Sequence, residues 1–167
     1  MILKTEYHHF YQPYLNQVDL NSTIIDNLQD SLNAVFNLLG NLPEEKINYR
    51  YAPNKWSIKQ LVQHIIDTER VFSYRALAIS RKDKTNLPGF DENEYVANAN
   101  NNTNFTDLLK EFSLLRKSNI AMFKNFTPEI LEQTGNANDA KISVRAIGYI
   151  MSGHVLHHLQ IIEERYL

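Results

Sequence analysis

The chain contains no cysteine. Disulfides, thiolate metal ligation and a cysteine nucleophile are excluded, which leaves histidine and carboxylate as the strong metal ligands on hand. Any metal site has to be built from nitrogen and oxygen donors. An excess of one charge is missing too: 17 Lys and Arg stand against 19 Asp and Glu, a formal net charge of −2. Without a broad electropositive field, neither nucleic acid nor anionic lipid is an expected partner, and a small molecule or a protein is. No apolar run approaches the ~18 residues of a membrane span, and the first residues, MILKTEYHHFYQPY, have no basic segment followed by a hydrophobic signal core. The expectation is a cytoplasmic protein without membrane contact. With 167 residues and 43% hydrophobic content, residues 1–167 are expected to form one domain with its own core.

Runs of alternating β-branched residues are also absent. A helical period fills the chain instead, which predicts an all-α fold with four main helices. The first is expected from about Asn21 to Leu39, with Ile24, Leu28, Leu32, Val35 and Leu39 on one side and Gly40 at its end. The second starts at Ser57, whose hydroxyl caps it while Gln60 closes a capping box, and runs to about Ser80. Asn104 or Thr106 caps the third, which reaches about Asn125, and the fourth runs from near Ser143 to about Arg165 after a GNANDA turn. Leu42-Pro43-Glu44-Glu45 and Thr127-Pro128-Glu129 read as short helical turns. Between the second and third helices, LPGFDENEYV followed by NANNNTN has the Gly, Pro and Asn content of an ordered loop running into a polar one, so residues 81–104 are a candidate lid. Ser-Ile-Lys at 57–59 and Ser-Val-Arg at 143–145 open the second and fourth helices in the same way, which suggests two helical hairpins in an up-down arrangement, with a crossover at 81–104.

Two histidines sit where the core should be. At about 100° per residue, His154 and His158 in GHVLHHLQII fall within about 40° of each other, on the stripe that carries Ile147, Ile150, Met151 and Ile161. Imidazoles buried among isoleucines need partners, and an i, i+4 pair on one helix face can hold a single transition metal ion through neutral ring nitrogens. His64 borders the apolar stripe of the second helix, flanked by Asp67 and Thr68. If the second and fourth helices are equivalent hairpin partners, the three histidines converge at similar depth. Three protein ligands with an open position is the count of a working metal centre, since closed structural zinc sites normally use four. Asp67 and His157 are candidates for orienting the ligands from behind. The competing reading of each residue is ordinary packing: a hydrogen-bonded core histidine, a solvated Glu69-Arg70 pair, a surface or packing role for His8 and His9, and interhelical packing for Tyr74-Arg75, which could otherwise orient an anionic substrate.

In order, KWSIKQLVQHIIDTERVFSYR, LPGFDENEYV and SVRAIGYIMSGHVLHHLQII resemble the DinB-like superfamily, the DinB/YfiT group of metalloenzymes, over nearly everything from about residue 20 to 167. That resemblance implies a down-up-up-down four-helix bundle, often a homodimer, with a divalent metal held by one histidine of the second helix and an HxxxH pair of the last. Carried over, the ligands are His64, His154 and His158. It also implies a metal-dependent enzyme that activates a small thiol or a water, as a thiol S-transferase or a hydrolase, acting on a small molecule. Zinc or nickel is the expected ion, with iron or manganese also compatible with three neutral nitrogens. The rival from another class is a helical dimer, metal-stabilised or metal-free, that binds a stress-related ligand or protein without turnover.

Overall fold

Each long helix begins where a short polar side chain can accept from its first free N–H groups. In the computed structural model, which describes residues 2–167, Thr23 caps α2 (Ile24–Leu39), Ser57 and Gln60 form the capping box of α4 (Ile58–Ser80), Asn104 caps α6 (Phe105–Lys124) and Ser143 caps α8 (Val144–Arg165). The first helix starts later than Asn21 because Asn21 and Ser22 are engaged in a turn closed by the Asp19 carboxylate. The short helix α1 (Gln12–Leu15) precedes the long ones, and α3 (Glu44–Ile47), α5 (Glu92–Asn98) and α7 (Pro128–Leu131) lie in the connections. No helix among the described residues is long and apolar enough to cross a membrane.

The four long helices form a bundle in which α2 and α4 each pack against α6 and α8. Cross-links between them fix the directions. Glu69 meets Arg116 and Ser73 meets Asn119, so α4 and α6 run parallel. The Tyr166 hydroxyl donates to the Trp56 carbonyl at one end while His64 meets His154 further along, so α4 and α8 are antiparallel. Tyr149 donates to the Ser22 carbonyl and Lys46 to the Tyr166 carbonyl, so α2 and α8 run together. The order is down-up-up-down. The expected up-down pairing of sequence-adjacent helices is corrected: α2 and α4 sit diagonally, and so do α6 and α8. Two parallel neighbours require the chain to return along the bundle, roughly 35 Å for a helix of α4's length. That return is why residues 81–104 are long.

The return segment is not a bare loop. It contains β1 (Asn86–Leu87) and α5, capped by Asp91, and it is anchored by the buried side chains of Leu87 and Val96. The GNANDA segment is also more than a turn: β2 (Thr134–Ala137) and β3 (Ala140–Ser143) form an antiparallel hairpin, with β1 added in parallel to β2. Asn138 and Asp139 have φ of 51° and 59°, the left-handed pair that a tight two-residue hairpin needs. This small sheet is the one departure from the all-α expectation.

The core is divided. One apolar cluster holds Leu28, Phe72, Ile120, Phe123, Ile147 and Ile150; the other holds Leu32, Leu61, Ile65, Phe112, Val155 and Leu159. Between them lies a buried polar layer. The Arg116 guanidinium, 0% exposed, donates to both Glu69 carboxylate oxygens at 2.8 Å, to Ser31 Oγ at 2.6 Å and to the Leu28 and Met151 carbonyls at 3.2 Å. Asn119 donates to Glu69 Oε1 at 2.8 Å and accepts from Ser73. All four long helices meet in this layer.

Residues 2–18 lie across α8. Glu6 accepts from Ser143 Oγ and from two nitrogens of Arg145. Tyr11 and Leu15 are buried. Contact is closest at Gly153, where a Cβ would stand 2.0 Å from the Tyr14 carbonyl oxygen, so this position admits no side chain.

Candidate metal centre

His64 lies in the second turn of α4, and His154 and His158 lie one turn apart on α8. Because these helices run antiparallel in contact, the three imidazoles arrive at one level. His64 Nε2 and His158 Nε2 are each 3.1 Å from His154 Nε2, and one ligand atom from each residue can be chosen so that all lie within 4.8 Å of one another. His64 and His154 are buried, and His158 is half-buried. A ring nitrogen carries one proton or one lone pair in its plane. His154 Nε2 therefore cannot donate to one neighbour and accept from the other, and three Nε2 atoms crowded together lack enough protein partners.

Burial keeps all three rings neutral. It pushes the pKa of His64 down to about 4 and that of His158 to about 3, and holds His154 well below the usual histidine value, with the neighbouring imidazoles adding to the effect for His154 and His158. Near neutral pH each ring therefore has a lone pair to offer, as a metal requires. The donor set fits a borderline divalent ion: three nitrogens, no thiolate, and an open side. Thr68 Oγ1, one turn after His64, stands 3.5 Å from His64 Nδ1, the ring nitrogen on the side away from the cluster of Nε2 atoms. His158 Nδ1 is buried without a partner.

The open side is a cavity of about 260 Å³ with the three histidines and Thr68 along one part of its wall. Much of the remaining wall is aromatic. Tyr14 meets the His154 ring edge-on with centroids 5.3 Å apart, and Trp56 lies 4.9 Å from the His64 ring. Phe10, Tyr11 and Phe72 complete this side, while Gly89, Phe90 and Glu92 of the return segment close another. The candidate lid thus contributes wall residues. A larger groove of about 670 Å³ runs between the end of α2 and the start of α6. Its lining mixes apolar side chains with Lys59, Lys110, Lys117, Glu44 and several neutral polar groups, and holds no histidine.

The other candidate residues are distributed as follows. Asp67 accepts from Gln63 at 2.9 Å, with Arg70 and Glu111 as its charged neighbours; the residue facing the back of His64 is Thr68. His157 is half-exposed, with its ring 5.3 Å from that of His158 and 5.4 Å from that of Tyr14. His8 and His9 are exposed and do not line the cavity. Tyr74 faces outward, but Arg75 is 4% exposed and lines the cavity. Glu69 corrects the reading of a solvated pair: it is 2% exposed and bound to Arg116. Arg116 had a sequence signal, since it falls one turn from both Phe112 and Ile120 on the apolar stripe of α6. Trp56 and the N-terminal aromatics carried none, because nothing in their spacing ties them to the histidines.

Residues 27–162 match a family described as the DinB superfamily. A protein of Oceanobacillus iheyensis that bears the name "Putative metal-dependent hydrolase" is 23% identical over 137 residues, 81% of this chain and 79% of that one. Among solved structures, YfiT from Bacillus subtilis, described as "a probable metal-dependent hydrolase with an unusual four-helix bundle topology", matches with a TM-score of 0.73 at 16% identity, over 84% of this chain and 82% of that one. This last likeness is one of fold.

Proposed function

This chain belongs to the DinB superfamily, and on that premise we propose that it is a metal-dependent enzyme whose His64, His154 and His158 hold one divalent ion, zinc or nickel first. The reaction is the activation of a water or a small thiol against a small-molecule electrophile, as a hydrolase or a thiol S-transferase. The observation that carries the reading is the convergence of three neutral imidazole nitrogens on the wall of a cavity. Such a centre supplies Lewis acidity, which brings the pKa of a coordinated water or thiol toward neutrality.

The chain's own residues do the rest. Burial holds the imidazoles neutral and aimed inward, and Thr68 stands where it can take the His64 Nδ1 proton in a hydrogen bond. Trp56, Tyr14 and Phe72 exclude bulk water and present flat apolar surface to a substrate. Names given to the relatives favour hydrolysis; the thiol alternative comes from the family resemblance. A second copy of the chain belongs to the same proposal and is read by size-exclusion chromatography with light scattering.

The test is turnover by protein loaded with zinc or with nickel, using small esters for hydrolysis and cysteine with chlorodinitrobenzene for thiol transfer. We expect metal-dependent turnover of one class, lowered more than about tenfold in His158→Ala while the fold persists. If His158→Ala instead lowers the melting temperature and no substrate of either class turns over, the site is structural and the protein is a binding module.

A further inference from the structure

We propose that the substrate of this cavity carries a carboxylate, bound by Arg75, while its apolar body lies along the aromatic wall toward the three histidines. This inference rests on reading the histidines as the reaction centre.

The protein has two deeply buried arginines and treats them differently. Arg116 makes five hydrogen bonds, two of them to the Glu69 carboxylate. Arg75 is 4% exposed, yet makes a single close hydrogen bond, from Nη2 to the Pro88 carbonyl at 2.8 Å, and its other polar neighbour is the uncharged Tyr11 hydroxyl. Its Nε is buried with no partner, and among the described residues no carboxylate lies within salt-bridge distance. Burying a guanidinium without a counter-charge is costly. Here the cost is incurred on the wall of the cavity that holds the histidines, where an incoming anion can supply the missing charge through the paired N–H groups.

Geometry sets the shape of the ligand. The Phe72 ring lies between the two ends, 6.5 Å from the His154 ring and 5.6 Å from Arg75 Cζ. A molecule spanning from histidines to guanidinium thus lays an apolar section against the Phe72 ring and carries an anionic end. The Pro88 bond fixes the orientation of the fork, and the Tyr11 hydroxyl beside it, kept protonated by burial, can donate to the same anion. The cavity has one carboxylate on its wall, Glu92, which is exposed and unpaired with Arg75. A divalent ion held by three neutral imidazoles leaves the cavity with surplus positive charge, which selects anions.

The test compares 3-phenylpropanoate with its neutral amide, 3-phenylpropanamide, by isothermal titration calorimetry on zinc-loaded and zinc-free protein. Expected is at least tenfold tighter binding of the carboxylate in both forms, with the preference lost in Arg75→Met and partly kept in Arg75→Lys. Wild-type protein alone decides the matter if Arg75→Met does not fold. The inference is overturned if acid and amide bind equally, if neither binds, if the preference survives Arg75→Met in zinc-free protein, or if it needs zinc and survives Arg75→Met. In that last case the ion captures the carboxylate and the metal reading stands. If no zinc is taken up but the Arg75-dependent preference persists, the metal reading fails and the anion site stands.

Discussion

Replacing Glu69 with glutamine should destabilise the metal-free protein by roughly 3–5 kcal/mol, the range for leaving one member of a buried ion pair uncompensated. Both side chains are almost fully removed from water, at 0% and 2% exposure, and they meet in a two-point contact at 2.8 Å. The amide in the Glu69→Gln variant keeps the shape but removes the charge that balances the guanidinium. Arg116→Met strands a carboxylate in the same way, with Asn119 as its remaining donor. The double variant Glu69→Gln/Arg116→Met removes both charges, so it should lose far less than the two single losses added together. Urea unfolding at neutral pH reads all of these as midpoint shifts at unchanged slope. Arg70→Ala is the control: its pair with Glu111 is 51% and 39% exposed, and its loss should fall within about 1 kcal/mol. If each single variant costs less than about 1 kcal/mol, or the two costs simply add, the pair is hydrated and the polar layer does not tie the helices together.

Acid should destabilise the metal-free fold through its histidines. Burial lowers the pKa of His64 to about 4 and of His158 to about 3. Their contribution is therefore complete above about pH 6.5, the unfolded value, and declines as the pH falls toward the folded values, because the unfolded chain takes up protons first. Each such ring should lose about 2 kcal/mol between about pH 7 and pH 5, a window above that of the lowered Glu6 carboxyl. Urea midpoints that stay flat across it would contradict the burial. Gly153→Ala places a Cβ 2.0 Å from a backbone oxygen of the N-terminal segment. It should lower stability by roughly 1–3 kcal/mol and speed proteolysis ahead of residue 20; unchanged cleavage would mean that the segment is not held at this contact.

The four long helices were legible because their caps and stripes are local: Ser57, Asn104 and Ser143 each mark a start that the structure keeps, and the apolar stripe placed the first helix within a few residues of its observed start after Thr23. Helix order was not, since periodicity shows which face is buried and is silent on which neighbour buries it; the family resemblance supplied the down-up-up-down arrangement that the repeat of Ser-Ile-Lys and Ser-Val-Arg misjudged. The hairpin was missed because Gly135, Asn136 and Ala137 lack β-branched character, although Asn138-Asp139 carried the turn signal. At the site, the oddity of His154 and His158 on an apolar stripe was enough to draw attention to them, and His64 joined them through its border position. Arg75 was weighed as an anion-orienting residue against packing, and its burial beside the cavity could not be read from one helix alone. Glu69 looked solvated next to Arg70, because only the α6 partner, Arg116, makes a buried carboxylate tolerable.

Metal stoichiometry tests the central claim most directly. Untagged protein equilibrated with zinc or nickel and freed of excess ion should carry one ion per chain by elemental analysis, and His64→Ala, His154→Ala and His158→Ala should each lose most of it while remaining helical by circular dichroism. Wild-type protein that retains no ion, or a His154→Ala variant that retains a full one, would contradict a shared centre at these three imidazoles.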